Sequence, residues 1–124
     1  MSAISTHVLD LAAGCPAAGM RVRLERVAPP GHETAPAVEE IAAASTDADG
    51  RIPGLGPEIV PPGTYRLIFD TGGYLTERRG AGGRSTAAGT FFPEVTVTFT
   101  VAEGEHYHVP LLMSPFGYST YRGS

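Results

Sequence analysis

Three histidines, one arginine and a tyrosine-rich chain end are the residues best placed to do chemistry near neutral pH. His106 and His108 stand two apart in EHYHVPLLMS, and His7 sits in ISTHVLDL, a run that alternates apolar and polar side chains. Residues two apart in a strand share a face. His106, His108, Pro110 and Leu112 therefore point one way, while Tyr107, Val109 and Leu111 point the other, as core. His7 lies with Leu9 on the face of its own strand that matches the first set. Imidazole titrates nearest neutrality, so two of them meeting across neighbouring strands can divide the work of base and orienting partner for a water molecule. A single strand histidine serves equally well as a solvent-facing or hydrogen-bonded residue, and the H-x-H spacing alone does not choose.

Arg51 follows a D-A-D-G turn and opens a short extended segment. It is either a solvated arginine after a hairpin or a planar five-donor fork for oxyanions and ring carbonyls. Near the chain end the alternation puts Ser119 and Tyr121 on one face, as packing or as part of a pocket. Three histidines with an open position would suit catalytic zinc. Spacing reveals no supporting carboxylate, although Glu103 and Glu105 lie close in sequence, so metal-free chemistry without a cofactor is the preferred reading.

The elements that must carry these residues follow a period of two. Ile4 to Leu11 and Met20 to Ala28 alternate around the turn GCPAAG. After PPGHETAP come AVEEIAAAST, the tight turn Asp47 to Gly50, and a short RIPGL strand. Thr64 to Asp70 is a further strand, and Tyr74 to Arg79 has room for one or two helical turns. RRGAGGRSTAAGT is Gly-rich and unpatterned, a flexible loop. FFPEVTVTFTVAEGEHYHVPLLMS then supplies two strands around an AEGE turn, and FGYSTYRG a last one. About eight short strands with little helix predict an all-β sandwich, and 124 residues predict a single domain spanning 1–124 with a real core.

Composition narrows the function. All nine basic residues are arginine and thirteen acids outnumber them, a formal charge of -4. No basic stripe is available to track phosphates, so nucleic acid is not an expected partner. The absence of lysine removes Schiff-base chemistry. The lone Cys15 cannot make an internal disulfide, which suits a reducing compartment. No run approaches the roughly 18 apolar residues of a membrane span, and the first residues have no basic residue before their apolar stretch and move straight into alternation, unlike a secretory signal. A cytoplasmic protein with no membrane partner is expected.

THVLD at 6–10, DGRI at 49–52, FFPEV at 91–95 and above all HYHVPLL and SPFGYSTYRGS at 106–112 and 114–124 resemble the 5-hydroxyisourate hydrolases, transthyretin-like enzymes of urate breakdown. The terminal Tyr-Arg-Gly-Ser signature separates these enzymes from transthyretin itself. The resemblance spans essentially the whole chain. It implies a transthyretin-like sandwich of two four-stranded sheets with one short helix, assembled as a homotetramer, a dimer of dimers, whose active sites line a central channel. It implies that 5-hydroxyisourate is the substrate and that His7, Arg51, His108 and the segment Tyr121 to Ser124 form the site, with His106 as the adjacent motif histidine. His7, Arg51 and His108 are the expected catalytic residues, and Tyr121, Ser119 and Ser124 are expected to help bind substrate. The segments around 30–40 and 80–89 look longer than the family needs, and Met113 stands where leucine is common. The rival reading is a transthyretin-like carrier that holds a small ligand without turning it over.

Overall fold

The computed structural model describes residues 3–28, 38–79, 91–102 and 105–123, and in it the alternating segments become the strands of two stacked sheets. The strands are β1 (Ile4–Asp10), β2 (Cys15–Pro16), β3 (Arg21–Val27), β4 (Val38–Ser45), β5 (Arg51–Ile52), β6 (Gly63–Phe69), β7 (Val95–Val101), β8 (Tyr107–Ser114) and β9 (Gly117–Thr120). One helix, α1 (Thr71–Arg79), follows β6. The first sheet runs β2-β1-β8-β9 with β5 also paired to β1, and the second runs β4-β3-β6-β7. This is the expected sandwich of two four-strand paths and one helix, with the two-residue β5 added to the first.

Three local expectations shift. Cys15 and Pro16, read as part of a turn, make two rungs against Asp10 and Leu9. The loop expected over 30–40 gives way by Val38, because Val38, Glu39 and Glu40 pair with Val27, Arg26 and Glu25 along the edge of β3. The expected loop residues 29–37 and 80–90 lie outside the described residues, as do Glu103 and Gly104 of the AEGE turn. The helix begins at Thr71 and not at Tyr74 because Asp70 caps it: its Oδ1 accepts the Gly73 amide at 3.0 Å, the usual service of an N-cap carboxylate.

The period of two sets the core. Ile4 and Val8 of β1, Val22 and Leu24 of β3, Tyr65, Leu67 and Phe69 of β6, and Tyr107, Val109, Leu111 and Met113 of β8 all face inward and are buried. Burying such side chains is worth roughly 1.5–3 kcal/mol each, and a one-residue slip in either sheet would turn the whole set outward. The outer face of the first sheet is thereby assigned to the intervening residues.

A polar contact ties α1 to this core. Asp10, only 2% exposed, accepts the Tyr74 hydroxyl at 2.8 Å and the Ala13 amide at 3.0 Å. Removing a donor from a buried carboxylate exposes the full cost of its desolvation. Tyr74→Phe should therefore lower unfolding free energy by about 1–3 kcal/mol in urea titration, and a variant as stable as the parent would show that this link carries no stability.

Candidate active site

Two pairings of β1 build the site. Its parallel partner β8 aligns Ser5 with His108, His7 with Pro110 and Leu9 with Leu112. Its antiparallel partner β5 aligns His7 with Arg51. Partners in a ladder project to the same face, so Ser5, His7, Leu9, Arg51, His108, Pro110 and Leu112 share the outer face of the first sheet.

The D-A-D-G turn exists to place Arg51. Asp47 accepts the Asp49 amide at 2.9 Å and the Arg51 amide at 3.0 Å, a side chain imitating a backbone turn. Gly50 closes it with φ at 74°, and a Cβ there would lie 2.4 Å from the Val8 carbonyl oxygen, so only glycine lets the turn approach β1. The same turn orients His7, whose Nε2 lies 3.0 Å from the Asp49 carbonyl oxygen. A carbonyl oxygen only accepts, so His7 Nε2 carries the hydrogen. In the neutral ring Nδ1 is left with the lone pair.

His108 is held from two sides. The Ser5 hydroxyl lies 2.8 Å from its Nδ1 and 3.1 Å from His106 Nε2. On the other side the Gly123 amide donates to the His108 carbonyl oxygen at 2.7 Å, making an isolated bridge. A Cβ at Gly123 would stand 2.6 Å from His108 Cδ2. Glycine is thus required where the chain end lies against the imidazole. Burial pushes the His108 ring below the usual 6.5, and the Arg51 guanidinium, His7 and His106 push it further the same way. It is therefore neutral, and fit to accept a proton, at neutral pH.

The chain end is fastened by a second group. Arg122 donates to Glu105 Oε1 at 3.0 Å and lies over the Tyr107 ring at 4.5 Å from its centroid. The Tyr107 hydroxyl donates to Glu105 Oε2 at 3.2 Å. Arg122 and Tyr107 together hold the exposed Glu105 carboxyl below its usual range. Extending the β8–β9 register from Leu111 and Thr120 would set Pro110 opposite Tyr121. Proline has no amide hydrogen to donate, so β9 ends at Thr120 and pairing resumes only at Gly123.

The other expected site residues are placed less centrally. Ser119 pairs with Leu112 on the site face, but four residues along β8 from His108, about 13 Å at strand rise. Tyr121 is exposed and lines an apolar cleft with Val97, Phe99, Tyr107 and Val109 at the edge between the sheets. His106 is exposed and reaches the site through Ser5. Ser124 lies outside the described residues. Among the described residues no three His, Cys, Asp or Glu side chains gather as metal ligands.

A family model for transthyretin, described as the HIUase/Transthyretin family, matches residues 4–123. The chain belongs to this family. It is 44% identical over 125 residues to the 5-hydroxyisourate hydrolase of Mus musculus, covering 99% of this chain and 96% of the mouse protein. It is 42% identical over 127 residues to that of Pseudomonas aeruginosa, covering 100% and 93%. The fold matches the structure of Klebsiella pneumoniae 5-hydroxyisourate hydrolase with a TM-score of 0.76 at 37% identity, covering 100% of both chains. It matches transthyretin from Sparus aurata with a TM-score of 0.81 at 31% identity, covering 99% and 97%. Backbone shape alone therefore does not divide hydrolase from transthyretin within the family. Side chains must.

Reading by residue type missed Ser5, and Gly123 entered only within the Tyr121 to Ser124 segment that the resemblance implied. The alternation contained the signal for Ser5, two residues before His7 and hence on its face. Gly123 becomes visible only with His108 behind it. The environment of His108 makes a prediction: its imidazole should titrate below 6.5 in an NMR pH series. Arg51→Ala should raise the midpoint only in part, because burial is the larger cause. A folded-state value below the unfolded one also means that the unfolded chain binds more protons, so this group lowers stability as pH falls through about 6.5. A midpoint at or above 6.5 in the wild type would contradict this description of the site.

Proposed function

We propose that this protein is a 5-hydroxyisourate hydrolase acting in urate breakdown, a single catalytic domain over 1–124. The observation that carries the reading is the convergence of His7, Arg51 and His108 on one sheet face through the pairings of β1. A neutral His108 beside a second imidazole and a guanidinium suits activation of water against a carbonyl whose oxygen becomes negative.

In the proposed reaction the water gives its proton to an imidazole as its oxygen bonds to C6 of the substrate. The N1–C6 lactam bond then breaks, N1 takes the proton back from the imidazolium, and C6 stays in 2-oxo-4-hydroxy-4-carboxy-5-ureidoimidazoline as a carboxyl group that releases its own proton to solvent. His108 and His7 are the proton-handling pair, the latter through Nδ1. Arg51 holds the substrate's oxygens and meets the developing charge with preorganised donors. No metal or cofactor takes part. Ser119, Tyr121 and Ser124 are proposed to help bind substrate.

A flat sheet face does not enclose a ligand, whereas small-molecule sites bury about 70–90% of theirs. We therefore place the working site in a homotetramer, a dimer of dimers, where opposed faces form a channel and residues as distant as Ser119 can come from a neighbouring subunit. Among the described residues no helix is long and apolar enough to cross a membrane. The lone Cys15 suits the reducing cytoplasm, the proposed location.

The likeness to transthyretin in complex with thyroxine supports a second reading, a carrier that binds without turnover. A urate-oxidase-coupled assay separates the two. The purified protein should speed the loss of 5-hydroxyisourate absorbance beyond its spontaneous decay, and Arg51→Ala should cost about a hundredfold or more in kcat. Removing Tyr121 to Ser124 should abolish the acceleration. No acceleration by the intact protein, or full activity after truncation, would refute the proposal.

A further inference from the structure

Ser5 is 7% exposed, and its hydroxyl sits between two imidazole nitrogens, 2.8 Å from His108 Nδ1 and 3.1 Å from His106 Nε2. A hydroxyl has one hydrogen to give. Between two neutral histidines that restricts the trio to two fully hydrogen-bonded arrangements. In one, Ser5 donates to His108 Nδ1 and accepts from His106 Nε2–H, which leaves His108 with its hydrogen on Nε2. In the other, His108 Nδ1–H donates to Ser5, which donates on to His106 Nε2, and His108 Nε2 keeps its lone pair.

We propose that Ser5 is a positioning residue: its hydroxyl holds His108 in the Nδ1–H tautomer, with Nε2 free to take a proton, and hands the hydrogen bond on to His106. This rests on the hydrolytic reading above. Only that arrangement lets a proton leave water for Nε2 with nothing else turning. The imidazolium so formed still donates from Nδ1 to Ser5, and Ser5 still donates to His106. In the alternative, Nε2 is already occupied and the hydroxyl must swing before the ring can act. The site also leaves Nε2 open and keeps the ring neutral, conditions that either tautomer meets. Among the described residues no protein group bonds to His108 Nε2. The charged and titratable neighbours acting on the ring, Arg51, His7 and His106, all favour its neutral form. The chain end lies close beside the ring, since a Cβ at Gly123 would meet Cδ2 at 2.6 Å. The role matches that of the third member of a nucleophile–base–orienter set, with a serine in place of a carboxylate. His106, exposed and outside direct reach of the reaction, gains a function as the acceptor that fixes which way the serine points.

The test is 15N spectroscopy of histidine-labelled protein at about pH 8, where imidazoles are neutral, with steady-state kinetics on the same samples. Wild-type His108 should show a protonated Nδ1 and an unprotonated Nε2. In Ser5→Ala the hydrogen should move largely to Nε2. The kcat should fall about tenfold or more, though less than the ~10⁴ that a wrong tautomer costs in a serine-type triad, with KM changed less than about twofold. Ser5→Thr, which keeps a hydroxyl, should recover both the tautomer and most of the rate. An Nε2–H tautomer in the wild type, or an unchanged tautomer in Ser5→Ala, would overturn the proposal, whatever happens to the rate. A wild type with the expected tautomer and no turnover would overturn the hydrolytic reading, a failure the spectrum distinguishes from failure of the serine relay.

Discussion

The parallel pairing of β1 with β8 is the constraint from which the site follows. It joins residues about a hundred positions apart in sequence, so its formation carries the loop-closure entropy of a highly non-local contact. Seven rungs then fix two things at once. Facing inward, Ile4, Val8, Tyr107, Val109, Leu111 and Met113 enter the core. Facing outward, Ser5 meets His108, and His7 stands two rungs further on, opposite Pro110. Core burial is thus the force that holds the polar face in register, since a slip that misaligned the imidazoles would also expose the core.

The chain end completes this face through contacts of different strength. Arg122 and Glu105 are both exposed, and such a pair contributes little stability by itself, about 0–1 kcal/mol. The stacking on Tyr107 and the shared Glu105 carboxylate make it directional, and direction is what the segment needs. With Pro110 interrupting the ladder, the last residues are returned to β8 by the Gly123 bridge and by Arg122. Proline in a central strand ordinarily counts against that strand. Here its missing amide falls where β9 ends, and the Thr120 hydroxyl binds the Pro110 carbonyl oxygen at 2.7 Å.

Much of this was legible in the sequence because period two reads directly as burial. The division of Tyr107, Val109 and Leu111 from His108 and Leu112, and of Val8 from His7 and Leu9, needed no structure. The family motifs extended that reading to Arg51. Partnership was not legible: alternation says which residues share a strand face but not that β1 and β8 run parallel with Ser5 opposite His108. Tyr121 illustrates the limit. Simple alternation puts it with Ser119, whereas the break after Thr120 lets it line the edge cleft beside Val97 and Phe99. Residue type also misled, since serine and glycine carry no chemical signature until a neighbouring imidazole gives them one.

The central claim is that hydrolysis depends on His108 being held between Ser5 and the returning chain end. Gly123→Ala tests it most directly, because the added Cβ would lie 2.6 Å from His108 Cδ2 while leaving every proposed proton-handling and charge-binding side chain intact. Misplacement by about an ångström can cost on the order of a hundredfold. The account predicts that kcat/KM for 5-hydroxyisourate falls about ten- to a hundredfold while the urea unfolding midpoint stays near that of the wild type. Wild-type kcat/KM in the alanine variant would contradict it.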